Sequence, residues 1–314
     1  MVPETAGMPM LHKAIFAILL AFLIALPFFV YPVFAMKVMC FALFAAAFNL
    51  LLGFGGLLSF GHAAYFGGAS YVAAHAAKVW GLTPELSVLC GTAAAAVLGL
   101  VIGSLAIRRQ GIYFAMVTLA FAQMVYFLAL QLPFTGGEDG IQSVPRGNLF
   151  GLFPSQDNIA LYFFVLAVTF GSILFLYRIV HSPFGQVLRA IRENEPRAIS
   201  LGYDVNRYKL IVFVLSATFA GLAGAMKSQV FQLASLTDVH WAMSGEVVLM
   251  TLLGGMGTIF GPLAGAAIVV TMQNYLATFG AWVTVIQGVI SVLGVLLFRE
   301  GLIGVLARWL KRPL

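Results

Sequence analysis

The sequence predicts an all-α polytopic membrane protein with about ten transmembrane helices, and three observations predict it. The first is composition: 61% of the 314 residues are hydrophobic, 9% are charged, and mean hydropathy is +1.00. Such a chain has too little polar surface to cover itself in water, so lipid is its solvent. Backbone in lipid must satisfy its own hydrogen bonds, which calls for helices. The second is a recurrence of apolar runs of about span length, separated by short polar stretches. The third is the placement of basic residues in three clusters: Arg108-Arg109, the 182–209 stretch, and Arg299, Arg308, Lys311 and Arg312. The positive-inside rule puts all three on one side, the cytoplasmic one. That works only if two short Gly-rich segments both cross, which gives about ten spans with both termini inside. Lys37 and Lys78 then fall outside as minor exceptions. If either short segment is re-entrant, one basic loop lands on the wrong side.

In chain order, a cytoplasmic N-terminus (residues 1–13) ends at His12 and Lys13. The first span, 14–34, is too long for a signal-peptide core and lacks a clear small-residue cleavage site. A second apolar run covers about 38–53. The stretch GFGGLLSFGHAAYFGGASYVAA (53–74) is apolar but studded with Gly, Ser and His. Spans follow at about 86–107 and 111–132, then a polar outer loop at 133–158 and a span at 159–180. A charged segment, 181–209, precedes the span at 210–232. The second interrupted stretch, 246–269, divides into a short crossing to about Gly257 and a new span from about 262 to 279. A last span, about 283–298, closes the 14–298 membrane domain, and a basic cytoplasmic tail occupies 299–314.

The two interrupted spans are then the third and the eighth. Five is odd, so halves of five spans would have opposite topology, as in the inverted repeats of transporters. Leu51-Leu52-Gly53-Phe54-Gly55…Phe60-Gly61 echoes Leu252-Leu253-Gly254…Gly257…Phe260-Gly261. Chance is the alternative, because Gly, Leu and Phe dominate the whole chain. Matched Gly-broken segments mark a pathway near the midplane. The candidate pathway residues are Gly55, Ser59, Gly61, His62, Tyr65, Gly254, Gly255 and Gly257. The same glycines also suit plain helix packing. His62 has two readings, as a polar group beside the path with Ser59 and Tyr65, or as a packing histidine bonded to a neighbouring carbonyl. Asn49, Thr118 and Gln123 read as interhelical glue, and Lys227 as a side chain snorkelling to the outer surface.

Catalytic signals are absent from the sequence. No Gly-Lys pair occurs, so there is no Walker A loop, and neither HExxH nor CxxC is present. No catalytic residue and no metal site is expected. Cys40 and Cys90 sit in apolar stretches as small hydrophobes. The net charge of +6 lies in a few short loops and is not a nucleic-acid signature. Asp is missing from every expected span, and Glu246 sits at an outer boundary. Ion-coupled transport places ionisable groups inside the bundle, so their scarcity argues against a secondary transporter.

SPFGQVLRAIRENEPRAISLG (182–202) is the exception to all this oil. Ser182 suits an N-cap and Pro183 the first helical position. Arg189–Glu193 and Glu193–Arg197 fall at i,i+4, where they would meet on a helix surface. Val187, Leu188 and Ile191 give an apolar side, Pro196 should break or kink the helix, and Gly202 can end the next turn. The stretch reads as an exposed amphipathic helix offered to another protein, or as an ordinary solvated loop between spans.

NLLLGFGGLLSFGHAAYFGG (49–68), RRQGIYFAMVTLAFAQ (108–123), TGGEDGI (135–141), SPFGQVLRAIRENEPRAISLGYDVNRYKL (182–210) and LLGGMGTIFGPLAGA (252–266) resemble the branched-chain amino acid ABC transporter permeases, LivM-type subunit. The match runs in order over about residues 37–300. Gln186 stands where a basic residue is common, and Ala69 where Gly is expected. The resemblance implies a type II ABC importer-like permease in the bacterial inner membrane, not itself an enzyme. Implied partners are a LivH-type permease, two ABC ATPases that bind ATP and Mg, a periplasmic binding protein, the small-molecule substrate and membrane lipid. It also implies that the helix of 182–202 docks on an ATPase. Ser182, Pro183, Phe184, Gly185, Leu188, Arg189, Ile191, Arg192, Glu193 and Glu195 would form that coupling surface, with Leu188 and Ile191 filling a groove on the ATPase. Branched-chain amino acids are the expected cargo; urea, amides, aromatic acids or sugars, or a stand-alone channel, are the alternatives.

Overall fold

A computed structural model describes residues 10–149, 153–154, 158–277, 280, 282–297 and 301–304. The expectations for residues 1–9 and for most of the 299–314 tail lie outside these. Helix α1 spans Met10–Ala25 and α2 Pro32–Asn49, the latter continuing as a π-helical turn, Leu50–Phe54. Then come α3 (His62–Lys78), α4 (Pro84–Ala106), α5 (Ile112–Gln131) and α6 (Asn158–His181). Two short polar helices follow, α7 (Pro183–Glu193) and α8 (Glu195–Ser200). The chain continues with α9 (Val205–Phe231), α10 (Leu236–Val239), α11 (Trp241–Gly254), α12 (Gly261–Leu276) and α13 (Trp282–Leu297).

Proline punctuates these helices. It opens α2, α4, α7, α8 and α12, where its missing N–H costs nothing and its fixed φ fits. The expected first span, 14–34, is corrected for the same reason. Pro27 sits in a 3-10 turn, Leu26–Phe28, that ends α1, and Pro32 starts α2. Among the described residues, five helical stretches are long and apolar enough to cross a membrane alone: Pro32–Phe54, α4, α5, α6 and α9. The helices flanking the two breaks are shorter, with 17 residues in α3, 14 in α11 and 16 in α12.

The centre of the bundle is α9, packed on α2, α3 and α4, with α2 itself almost wholly buried. Small residues make this packing close. A side chain at Gly224 would run into the Phe66 carbonyl, and one at Gly221 into Ala95. The outward faces are apolar: Leu89, Val97 and Leu100 on α4, and Tyr113, Met116 and Phe127 on α5, are all exposed. In water such faces would be a liability; in lipid they are ordinary surface.

At the end away from α7, short strands lid the bundle. Strand β1 (Ile141–Gln142) pairs antiparallel with β4 (Leu233–Ala234), and β2 (Asn148–Leu149) with β3 (Phe153–Pro154). Arg146 pins this layer, donating to the carbonyls of Gln229 and Val230 and to Asn158 Oδ1.

Lys227 does not snorkel. Its Nζ donates to Asp238 Oδ1 and Oδ2 at 2.8 and 2.6 Å, with the two side chains 10% and 4% exposed. The cause is α10, which folds back over the end of α9 and brings an anion closer than solvent. A capping box fixes Asp238 there, its carboxylate accepting from the Ser235 N–H. Removing one partner from a buried pair strands the other charge, at about 3–5 kcal/mol, whereas apolar replacement of both is near neutral. Asp238→Ala should therefore lower the thermal midpoint of the purified protein sharply. Lys227→Met with Asp238→Leu should restore most of it; a double variant as unstable as the single one refutes this account.

Candidate functional site

The sequence-predicted pathway and coupling residues meet at one joint. The C-terminal turn of α2 holds Gly53, Gly55 and Gly56, poor helix formers, and widens into π geometry: Gly55 N–H bonds the Leu50 carbonyl at 3.2 Å. Asn49, one turn back, folds its side chain across Gly53 and leaves no space for a Cβ there. Its Oδ1 accepts from Gly257 N–H at 2.9 Å, and its Nδ2 donates to the Thr258 carbonyl at 2.8 Å. One amide thus stitches together two helix breaks 208 residues apart in sequence. Gly257 takes φ +74°, a left-handed conformation that presents its N–H to Asn49 without strain.

Each break ends on the expected Phe-Gly pair. Gly61 caps α3, and Phe260 caps α12, whose first residue is Gly261. Thr258 Oγ1 closes the second break, donating to the Gly255 carbonyl at 2.8 Å and accepting from Gly261 N–H at 3.1 Å. Gly254 and Gly261 also serve packing: a Cβ on Gly254 would overlap the Gly261 carbonyl. Ser59, His62 and Tyr65 are fully buried within the chain. His62 Nε2 hydrogen-bonds Ser216 Oγ at 2.8 Å, and that hydroxyl donates to the Ala47 carbonyl at 2.6 Å. Its ring stands edge-on to Phe48 and Tyr65. A hydroxyl therefore takes the place of the expected neighbouring carbonyl. Asn49 and Thr118 are interhelical glue as expected, Thr118 Oγ1 accepting from Phe60 N–H at 3.2 Å.

The joint sits toward the α7 end of the bundle. Gly55 lies against Val212, seven residues into α9 and so about 10 Å from its α7 end. The first break belongs to the α7 end of the bundle, and His62, opposite Ser216, lies about 6 Å deeper.

In α7, Ser182 Oγ accepts from Gly185 N–H and Pro183 takes the first turn, as expected. Gly185 packs where any Cβ would strike the Val180 carbonyl. Asn194 ends α7 and caps α8, its Oδ1 accepting from Arg197 N–H at 3.0 Å, and Gly202 closes α8 at φ +87°. This break separates Glu193 from Arg197, and Arg189 instead lies over the Phe54 ring, its Cζ 5.3 Å from the centroid. Neither i,i+4 ion pair forms; Glu195 pairs with Lys209 at 2.8 Å.

A second correction concerns the apolar side of α7. Leu188 and Ile191 are 1% and 3% exposed, already buried in this chain's own core with Val205 and Ala198 beside Ile191. They hold α7 onto the bundle and leave no free surface for a partner. Phe184 likewise stacks on Tyr208 at 5.5 Å. Residues presented outward include Gln186, Arg189, Glu193, Arg197, Ile199 and Leu201, and Arg192 is also exposed although its guanidinium reaches back to the bundle.

Sequence reading missed the contact that ties the two groups together. Arg192 Nη1 donates to the Gly53 carbonyl, with its stem lying over Gly56. It also missed a polar network inside α11–α13, where Glu246 Oε1 accepts from Gln273 Nε2 at 2.6 Å. Among the described residues, no set of three His, Cys, Asp or Glu side chains is placed to hold a metal ion.

Broken, Gly-rich helices beside a polar helix pair, in a bundle with an apolar exterior, define a multi-pass membrane protein. The family described as branched-chain amino acid transport system / permease component matches residues 32–298, and the chain belongs to it. It is similar to the high-affinity branched-chain amino acid transport system permease protein LivM of Escherichia coli, 31% identical over 67% of this chain and 55% of that protein. The LivM of Salmonella typhimurium is 31% identical over 68% and 56%. The ribose import permease protein RbsC of Bacillus subtilis is 30% identical over 57% and 58%. The matched part thus spans little more than half the length of these relatives. No solved structure matches.

Asn49 should be the dominant stabiliser of the joint, since each buried group it would orphan costs about 1–3 kcal/mol. Asn49→Ala should speed hydrogen exchange at the Gly257 amide, and Asn49→Asp, which keeps the acceptor, should do so less. Unchanged Gly257 protection in Asn49→Ala would show that the stitch is incidental.

Proposed function

We propose that this chain is one of two membrane subunits of an ATP-driven importer in the bacterial inner membrane, passing branched-chain or related amino acids. It rests on family membership and on the names of the LivM relatives, and the observation that carries it is the position of α7–α8. This polar pair lies at one end of the bundle, in contact with the first helix break through Arg192 and Phe54. A LivH-type subunit completes the pathway, two ATPases bind and hydrolyse ATP with Mg, and a periplasmic binding protein delivers the cargo. The residues at the breaks, from Gly55 to Tyr65 and from Gly254 to Gly257, border the path in this reading. The likeness to a ribose import permease favours a second reading, in which the cargo is a sugar.

The proposed topology has ten spans in two inverted halves, with both termini and α7–α8 cytoplasmic. Substituted cysteines at Asp139 and Glu195 test it: the first should react with an impermeant thiol reagent in intact spheroplasts and the second only after lysis. Reversed accessibility overturns it.

Function is tested by coexpressing the chain with a LivH-type permease, ABC ATPases and a periplasmic binding protein from the same organism, and measuring ATP-dependent uptake of leucine and of ribose in vesicles. Leucine uptake is expected; ribose uptake alone selects the second reading. The docking surface follows the corrected burial. Ile199 and Leu201 are 58% and 68% exposed, and apolar anchors of this kind are worth about 2 kcal/mol each in an interface. Ile199→Asp with Leu201→Asp should leave the permease pair intact but strip the ATPase at this subunit. Normal ATPase stoichiometry in that variant refutes the assigned surface.

A further inference from the structure

Arg192 makes contacts that a docking residue does not need. Its side chain leaves α7 and runs across the first break, so close to Gly56 that a Cβ there would stand 2.8 Å from Arg192 Cγ. The guanidinium then donates to the Gly53 carbonyl, one of the last in α2 and so without a helical partner to come. A cation at this position also meets the negative end of the helix dipole. The same guanidinium reaches the second break, where a Cβ on Gly257 would be 3.6 Å from Nη1. Asn49 binds Gly257 and Thr258 from the other side, and Thr258 caps α12. A line of contacts therefore runs from α7 through Arg192 to Gly53, across which the Asn49 side chain packs, and from Asn49 through Gly257 and Thr258 into α12. Gly53 is buried, so its carbonyl depends on the guanidinium for a partner.

We propose that Arg192 is a positioning residue that transmits movement of α7 to both helix breaks, as distinct from an anchor for the ATPase. The proposal rests on the reading of α7–α8 as the ATPase-facing surface. Two substitutions in the full complex, in vesicles, separate transmission from structure. Arg192→Met keeps the length of the side chain and removes the donors; Arg192→Lys keeps a charge and one usable donor. The Met variant should retain the wild-type ratio of ATPase to permease and its basal ATP hydrolysis, while substrate imported per ATP falls about tenfold or more. The Lys variant should fall between Met and wild type. A wild-type import-to-hydrolysis ratio in the Met variant overturns the proposal, and so does loss of the ATPase, which would make Arg192 a docking residue. If the Met variant does not accumulate, the Lys variant decides by the same ratio, and wild-type coupling there overturns the proposal too. Failure of the wild-type complex to hydrolyse ATP or import leucine or ribose would instead refute the importer reading.

Discussion

Backbone hydrogen bonding without water is the constraint on which the rest of this structure depends. A helix broken inside a bilayer leaves N–H and C=O groups that solvent cannot satisfy, each costing several kcal/mol if left alone. The two breaks here are supplied from within. Phe60 N–H bonds Thr118, Gly61 N–H bonds Ser59, and Ala63 N–H bonds Ser244 of α11. Asn49 and Thr258 supply the second break, and Arg192 the end of the first. Short polar side chains on α2, α5 and α11 therefore determine where the breaks can sit. The glycines permit the irregular backbone, but these side chains make it affordable.

That division explains what was readable in advance. Apolar runs located the long helices, because length in lipid is a local property, whereas Pro27 and Pro32, left unread inside the first run, divide it. The Gly-rich stretches announced the breaks, and Ser182-Pro183 and Gly202 the limits of the polar pair. Partners across more than 200 residues, such as Asn49 with Thr258, leave no trace in local pattern. Nor did an amphipathic α7 say which surface would cover its apolar side. Leu188 and Ile191 have the spacing of a docking face and of a face folded onto its own bundle alike. Lys227 failed for a related reason: its anion, Asp238, lies in a stretch that reads as outer loop until α10 folds back over α9.

The placement of charge along the bundle carries the argument one step further. Lys227 and Asp238 are near the end away from α7, where Lys37 also lies within electrostatic range of Glu246. Arg189, Arg192, Glu195 and Lys209 are at the opposite end. Between them, around His62, Ser216 and Tyr65, the described side chains are neutral and packed edge to face. Carboxylates that would carry a proton or sodium ion through the centre are missing from this middle layer, though ion-driven carriers rely on them. At the α7 end, Arg192 is bonded to the backbone of a helix break. The same polar contacts that make a broken helix tolerable in lipid are thereby placed to carry displacement into it.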